Sequence, residues 1–188
     1  MAPEHIGRRT FVKAAGAAVG SAVVLPACAS PAPGWRFLTT AEATVVEAIA
    51  EQIVPADENA GAREAGVVNY IDRQLTGPFE EHQHTYRRGI AGVQQAADAM
   101  FGGRFESLRW AQQTAVLRAV ERDDAPGDIW ESTSAPSFFE LIRDHTMQGF
   151  YGSPRHGGNR GFVSFRMIGL DYPRIVGQNR YKMFPGSP

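Results

Sequence analysis

The sequence predicts an all-α domain: about five amphipathic helices in one compact bundle, followed by a long irregular C-terminal segment rich in glycine and aromatic residues. Three observations carry this reading. Apolar side chains recur at helical spacing in five separate stretches, each closed by Gly, Pro or an acidic turn. Nowhere do four to eight residues alternate in the strand manner with β-branched enrichment. About 160 residues remain after an N-terminal targeting segment, enough for a single core that buries roughly 68–70% of the unfolded surface.

The targeting segment comes first. Arg8-Arg9-Thr10-Phe11-Val12-Lys13 precedes a weakly hydrophobic Ala/Gly/Val run over residues 14–25, and small residues follow. A positive start, an apolar centre and a small-residue end are the parts of a bacterial signal peptide, and the Arg pair followed by Phe and Lys marks the twin-arginine type. The run has about a dozen residues against the roughly twenty that span a bilayer. Two readings share its end. Ala27-Cys28-Ala29 fits cleavage before Ser30, whereas Leu25-Pro26-Ala27-Cys28 resembles a lipobox, which would make Cys28 the lipidated first residue. Residues 1–29 are therefore assigned to the signal, 30–36 to a short Pro-rich tether and 37–188 to the helical domain. The expected location is the periplasm or the periplasmic face of the envelope, with a lipid anchor or the complex itself as the only link to a membrane.

Cys28 is the sole cysteine. Either reading leaves the mature domain without a free thiol, a disulfide, a thiolate metal site or a C-x-x-C-H haem attachment. Removing residues 1–27 takes away Arg8, Arg9, Lys13 and Glu4, which leaves 16 basic and 19 acidic side chains and a net charge of −3. That weakly acidic balance, with no basic run, lacks the footprint of a nucleic-acid binder.

Order is expected to begin near Trp35. Thr39-Thr40-Ala41-Glu42 is a capping box, and Val45, Val46, Ile49 and Ile53 follow it until Pro55 stops the first helix. Residues 55–62 are turn chemistry, with Asp57 and Glu58 read as solvated turn residues. Val67, Val68, Ile71 and Leu75 predict a second helix closing at Gly77-Pro78. Tyr86, Ile90, Val93 and Ala97 predict a third closing at Gly102-Gly103. A fourth runs from about Leu108 through Val116, Leu117 and Val120 to the acidic turn Asp123-Asp124. Phe138, Leu141, Ile142 and His145 line the fifth, which Gly149 is expected to end. From Gly149 to Gly169 the chain is too rich in Gly and Pro for a helix and too aromatic for a disordered tail, so a packed recognition loop is expected.

No complete catalytic constellation can be read in the sequence. No G-x-G-x-x-G follows a strand, and Gly157-Gly158-Asn159-Arg160-Gly161 leads into no phosphate loop, so its glycines read as turns needing positive φ. His82 and His84 stand two apart, which on a helix sends them to different sides and suits surface residues better than a metal pair. His145 lies on an apolar face, where a hydrogen-bonded core histidine outweighs a ligand or a base. Trp110 and Phe138-Phe139 read as core. No G-x-S-x-G nucleophile occurs. The residues therefore define no catalytic, cofactor or metal site in this chain. Phe150, Tyr151, Pro154, His156, Gly157, Gly158, Asn159 and Phe165 stand out instead as candidate interface or loop-organising positions.

These residues resemble subunit 3, the small or gamma subunit, of gluconate 2-dehydrogenase and related periplasmic FAD-dependent sugar dehydrogenases. The resemblance runs through Ile53-Val54-Pro55-Ala56-Asp57, residues 61–67, Tyr70-Ile71-Asp72, Phe101-Gly102 with Phe105 and Leu108, Gln112-Gln113 and Phe138-Phe139. It is most specific at Gly149-Phe150-Tyr151, Pro154, Gly157-Gly158-Asn159 and residues 165–169. His156 stands where the family usually has Tyr, and Phe165 where it usually has Trp. The resemblance implies a non-catalytic subunit that helps a large catalytic subunit of the glucose-methanol-choline type, which holds FAD, to fold and pass the twin-arginine route. A cytochrome c subunit often completes such a complex. The alternative from a different class is an independent envelope enzyme or ligand-binding lipoprotein with a site near His145, His156 and Asn159. An electron-transfer subunit is disfavoured by the cysteine count.

Overall fold

A computed structural model describes residues 34–170. The signal residues Arg8, Arg9, Phe11, Lys13 and Cys28, most of the tether and residues 171–188 lie outside the described residues. Five longer α-helices and one short one are present: α1 (Thr40–Ile53), α2 (Val67–Gln74), α3 (Gln83–Phe101), α4 (Trp110–Glu121), α5 (Ala135–Tyr151) and α6 (Val163–Met167). No strand occurs among the described residues. Short 3-10 turns link the helices at Glu80–His82, Phe105–Ser107, Asp128–Glu131, Pro154–His156 and Arg160–Phe162.

Local chemistry sets the helix ends. The Thr39 hydroxyl accepts from Glu42 N at 3.2 Å and the Glu42 carboxylate accepts from Thr39 N at 2.8 Å, so the capping box forms as the sequence predicts. Gly102, at φ 68°, closes α3 in the left-handed conformation that glycine adopts without a Cβ clash. Ser134 caps α5 by accepting from Ser137 N at 3.3 Å. One boundary differs from expectation. Gly149 does not end the fifth helix, which continues through Phe150 and Tyr151 until the Gly152 N–H closes it on Gln148 O at 2.8 Å. Gly149 is instead a contact point: a Cβ there would stand 3.0–3.2 Å from the Tyr70 side chain of α2.

Helix α5 contacts all five of the other helices and forms the centre of the bundle. Its Phe138, Ile142 and Phe150 meet Val46 and Ile49 of α1, Ile71 of α2, Tyr86 and Val93 of α3, and Val116 and Val120 of α4 in one buried cluster. Burial of each such side chain contributes about 1.5–3 kcal/mol before entropy is counted. Glycine permits the close approach of α3 and α5. A Cβ on Gly89 would overlap the Phe138 ring, and one on Gly92 would overlap Trp130. Phe138 therefore reads correctly as core, with Phe139 half-buried beside it. Trp110 does not. It opens α4 and is 51% exposed, at the edge of a cleft it shares with Gln113.

The segment entering α1 is held by one buried carboxylate. Asp72, on α2, accepts the backbone N–H groups of Arg36 at 2.8 Å, Phe37 at 3.0 Å and Leu38 at 2.9 Å. Charge-assisted bonds of this kind are about twice as strong as neutral ones, and an apolar replacement strands the donors. Asp72→Ala is expected to cost about 3 kcal/mol in chemical denaturation, with Asp72→Asn, which keeps one acceptor oxygen, losing about half of that. Equal losses in the two variants would show that volume rather than hydrogen bonding matters at this position.

Candidate functional site

After α5 the chain forms a cap over the seam between α2 and α5. Gly157 (φ 106°), Asn159 (φ 43°), Gly161 (φ 63°) and Phe162 (φ 60°) all adopt positive φ, in keeping with the turn reading of this glycine-rich stretch. Asn159 organises the cap. It is fully buried, its Nδ2 donates to Gly152 O at 2.9 Å, and its Oδ1 accepts Ser164 N at 3.0 Å, which joins the end of α5 to the start of α6. Arg160 N donates to Ala65 O at 2.9 Å and fastens the cap to the turn before α2. Gly158 is buried where any Cβ would overlap the Gly149 carbonyl oxygen. The expected irregular loop is thus more ordered than predicted: it contains two 3-10 turns and the five-residue α6. Polar and αL-tolerant residues closed turns that a propensity argument reads only as helix breakers.

The candidate interface residues divide into two sets. Phe150, Gly158 and Asn159 are buried and serve packing, so they present no surface to a partner. Pro154, Gly157 and Phe165 are half-buried, whereas Tyr151 and His156 are exposed. His156 Nε2 accepts from Arg155 Nε at 2.9 Å. Sequence reasoning missed the exposed apolar residues around them, namely Met147, Met167, Ile168 and Leu170. A signal for them was present in the charges. Residues 34–144 carry 18 acidic and 10 basic side chains, whereas residues 145–170 carry Arg155, Arg160 and Arg166 and no acidic residue at all.

Two of the described histidines, His82 and His145, come together against Phe79. His145 is buried, with Nδ1 3.0 Å from the Tyr86 hydroxyl and its ring stacked on Phe79 at 4.0 Å and 5°. This is the hydrogen-bonded core histidine that the sequence favours. His84 is exposed as expected, but His82 is not a simple surface residue. The 3-10 turn before α3 lays its ring 5.6 Å from His145 and 6.2 Å from Phe79. Burial, with the His82 charge adding to it and Asp144 opposing, lowers the His145 pKa to about 4. Burial, reinforced by Tyr70, pushes the Tyr86 phenol well above its ordinary value. Both groups are therefore neutral at pH 7, as a core requires. Among the described residues, no group of three or more His, Cys, Asp or Glu side chains could hold a metal ion.

The cleft beside Trp110 is lined by Glu51, Arg63, Glu106 and Gln113. Its polar groups already serve the fold. Glu51 accepts from Ala56 N at 3.2 Å and Arg63 N at 2.8 Å, and Gln113 donates to Phe105 O at 3.0 Å. Burial raises the Glu106 pKa, but hydrogen bonds from Arg104, its own backbone and Gln94 outweigh it and hold the carboxyl below its ordinary value.

The described residues thus form one all-α bundle closed by a glycine-rich cap. The chain belongs to the gluconate 2-dehydrogenase subunit 3 family, whose sequence model matches residues 40–171. Comparison with curated proteins and with solved structures finds no match. The family match agrees with the resemblance read from the sequence, and it makes the chain an accessory subunit of a dehydrogenase complex. Several of the residues that carry the resemblance are those that hold the fold: Asp72, Tyr70, Gly149, Gly158 and Asn159.

Two outcomes follow from this geometry. Asn159→Ala removes two buried hydrogen bonds and a residue tolerant of left-handed φ, and is expected to cost about 2 kcal/mol and to open residues 152–164 to limited proteolysis. Because the folded pKa of His145 lies near 4 and an unfolded imidazole titrates near 6.5, the unfolded chain takes up this proton first on acidification. The corresponding stability is fully present above about pH 6.5 and is lost as pH falls toward about 4. In denaturation curves at pH 7 and pH 4.5, His145→Gln should lose less stability between the two than the native chain, by on the order of 2 kcal/mol. An unchanged difference would place the acid sensitivity elsewhere.

Proposed function

We propose that this chain is a non-catalytic subunit of an exported, FAD-dependent dehydrogenase that oxidises a sugar, sugar acid or glycoside. In this reading it assists folding of the flavin-holding catalytic subunit, of the glucose-methanol-choline type, and carries it through the twin-arginine route. The family match over residues 40–171 carries the proposal. Two further observations support it. Arg8-Arg9 with Phe11 and Lys13 is a twin-arginine signature, and that route moves folded proteins, including those that acquire a cofactor before export. His145 and Tyr86 bond each other, and Glu106 accepts from Gln94 and Arg104. FAD belongs to the partner, a cytochrome c subunit receives the electrons, and Cys28 supplies a lipid tether where it is modified.

Co-expression tests this. With the flavoprotein encoded beside it, the chain should deliver an active enzyme to the periplasm. Omitting the chain, or changing Arg8 and Arg9 to Lys, should leave the flavoprotein in the cytoplasm. Periplasmic dye-reducing activity that is equal without the chain would refute the escort role.

A further inference from the structure

The charges of this domain are partitioned, and so is its exposed apolar surface. Residues 34–144 are strongly acidic, with 18 acidic side chains against 10 basic ones, whereas residues 145–170, the last two turns of α5 and the cap that follows it, carry three arginines and no acidic residue. The sign continues beyond it: the eighteen residues that follow carry Arg174, Arg180 and Lys182 against Asp171 alone. Five of the seven large hydrophobic side chains that are most exposed lie on or beside this same cap. Met147 and Tyr151 stand one turn apart on α5, Met167 ends α6, and Ile168 and Leu170 follow it, all between 37 and 54% exposed. The Asn159 side chain bonds Gly152 and Ser164, so the end of α5 and the start of α6 are fixed against each other. Leu170 N closes on Phe165 O at 2.9 Å and holds the last of these residues in place.

Taking the subunit reading above as its premise, we infer that this cap is the face that docks the catalytic flavoprotein subunit. The surface it fits on that subunit is an apolar patch rimmed by carboxylates. Tyr151, Ile168 and Leu170 supply the desolvated centre, and Arg155 and Arg166 supply a cationic rim. An apolar centre within a charged rim is the anatomy of a specific interface, with large side chains at the middle carrying most of the energy. The rim steers encounter with an acidic partner and the acidic body disfavours docking by any other face, since like charges across an interface oppose association.

The test uses the full chain co-expressed with its flavoprotein and captured through a tag on the flavoprotein. Two double variants, Ile168→Asp with Leu170→Asp and Arg155→Glu with Arg166→Glu, are compared with Trp110→Asp, which alters an exposed ring on α4. Circular dichroism of each purified chain reports folding. Both cap variants should fall at least about tenfold in affinity, and the Arg pair should also lose most of the salt dependence of the association rate. Trp110→Asp should bind as the native chain does. Undiminished capture by folded cap variants, or an equal loss with Trp110→Asp, overturns the docking face while leaving the subunit reading intact. A cap variant that changes only the self-association of the isolated chain assigns the face to a second copy and also overturns it. Failure of the native chain to capture any flavoprotein overturns the subunit reading and the docking with it.

Discussion

The bundle depends on rings occupying the places of missing β-carbons. Helix α5 approaches α3 closely because Phe138 lies against Gly89, and α2 because Tyr70 lies against Gly149, while Trp130 of the 3-10 turn before α5 lies against Gly92 of α3. Each glycine sits inside a helix, where it costs roughly 0.5–1 kcal/mol relative to alanine. Each ring brings a large buried area in return, and Tyr86 and Phe138 add an edge contact at 6.1 Å. The helices thus approach through shape, with the hydrogen-bonded groups fixing only the ends. The same logic places Gly158 against the backbone of Gly149, so the cap and the core share one contact point.

Helix positions were legible because apolar periodicity and capping are local properties. The Thr39 box, the Gly102 cap and the seams of Val45, Ile71, Val93 and Val120 are all read within a few residues of themselves. Glycine partners were not legible, because Gly89 and Phe138 lie far apart in sequence and nothing local links them. Gly149 was misread for a related reason: a glycine that makes room for Tyr70 looks, in one dimension, like a glycine that ends a helix. Trp110 differs for another reason, since the size of an aromatic ring favours burial but does not say how far the core extends along the helix. In the cap, turn positions were visible from Gly157, Asn159 and Gly161, whereas the division between buried Phe150 and exposed Tyr151 needed the end of α5 to be placed.

The cap combines strain with support. Phe162, a bulky residue at φ 60°, is costly by about 1–3 kcal/mol and persists because its surroundings fix it. Its ring is buried, and its N–H is held by Asn159 O at 2.9 Å. Such a segment keeps one shape before any partner arrives, which lowers the ordering cost of association.

Asp72 has a mechanical consequence. The chain enters the domain at residues 36–38, and all three of their N–H groups converge on this one carboxylate. A pull applied ahead of Trp35 therefore meets these three hydrogen bonds and passes through them into α2, which packs against α1 and α5. Traction on the leading end is thus borne by the middle of the bundle rather than by α1 alone.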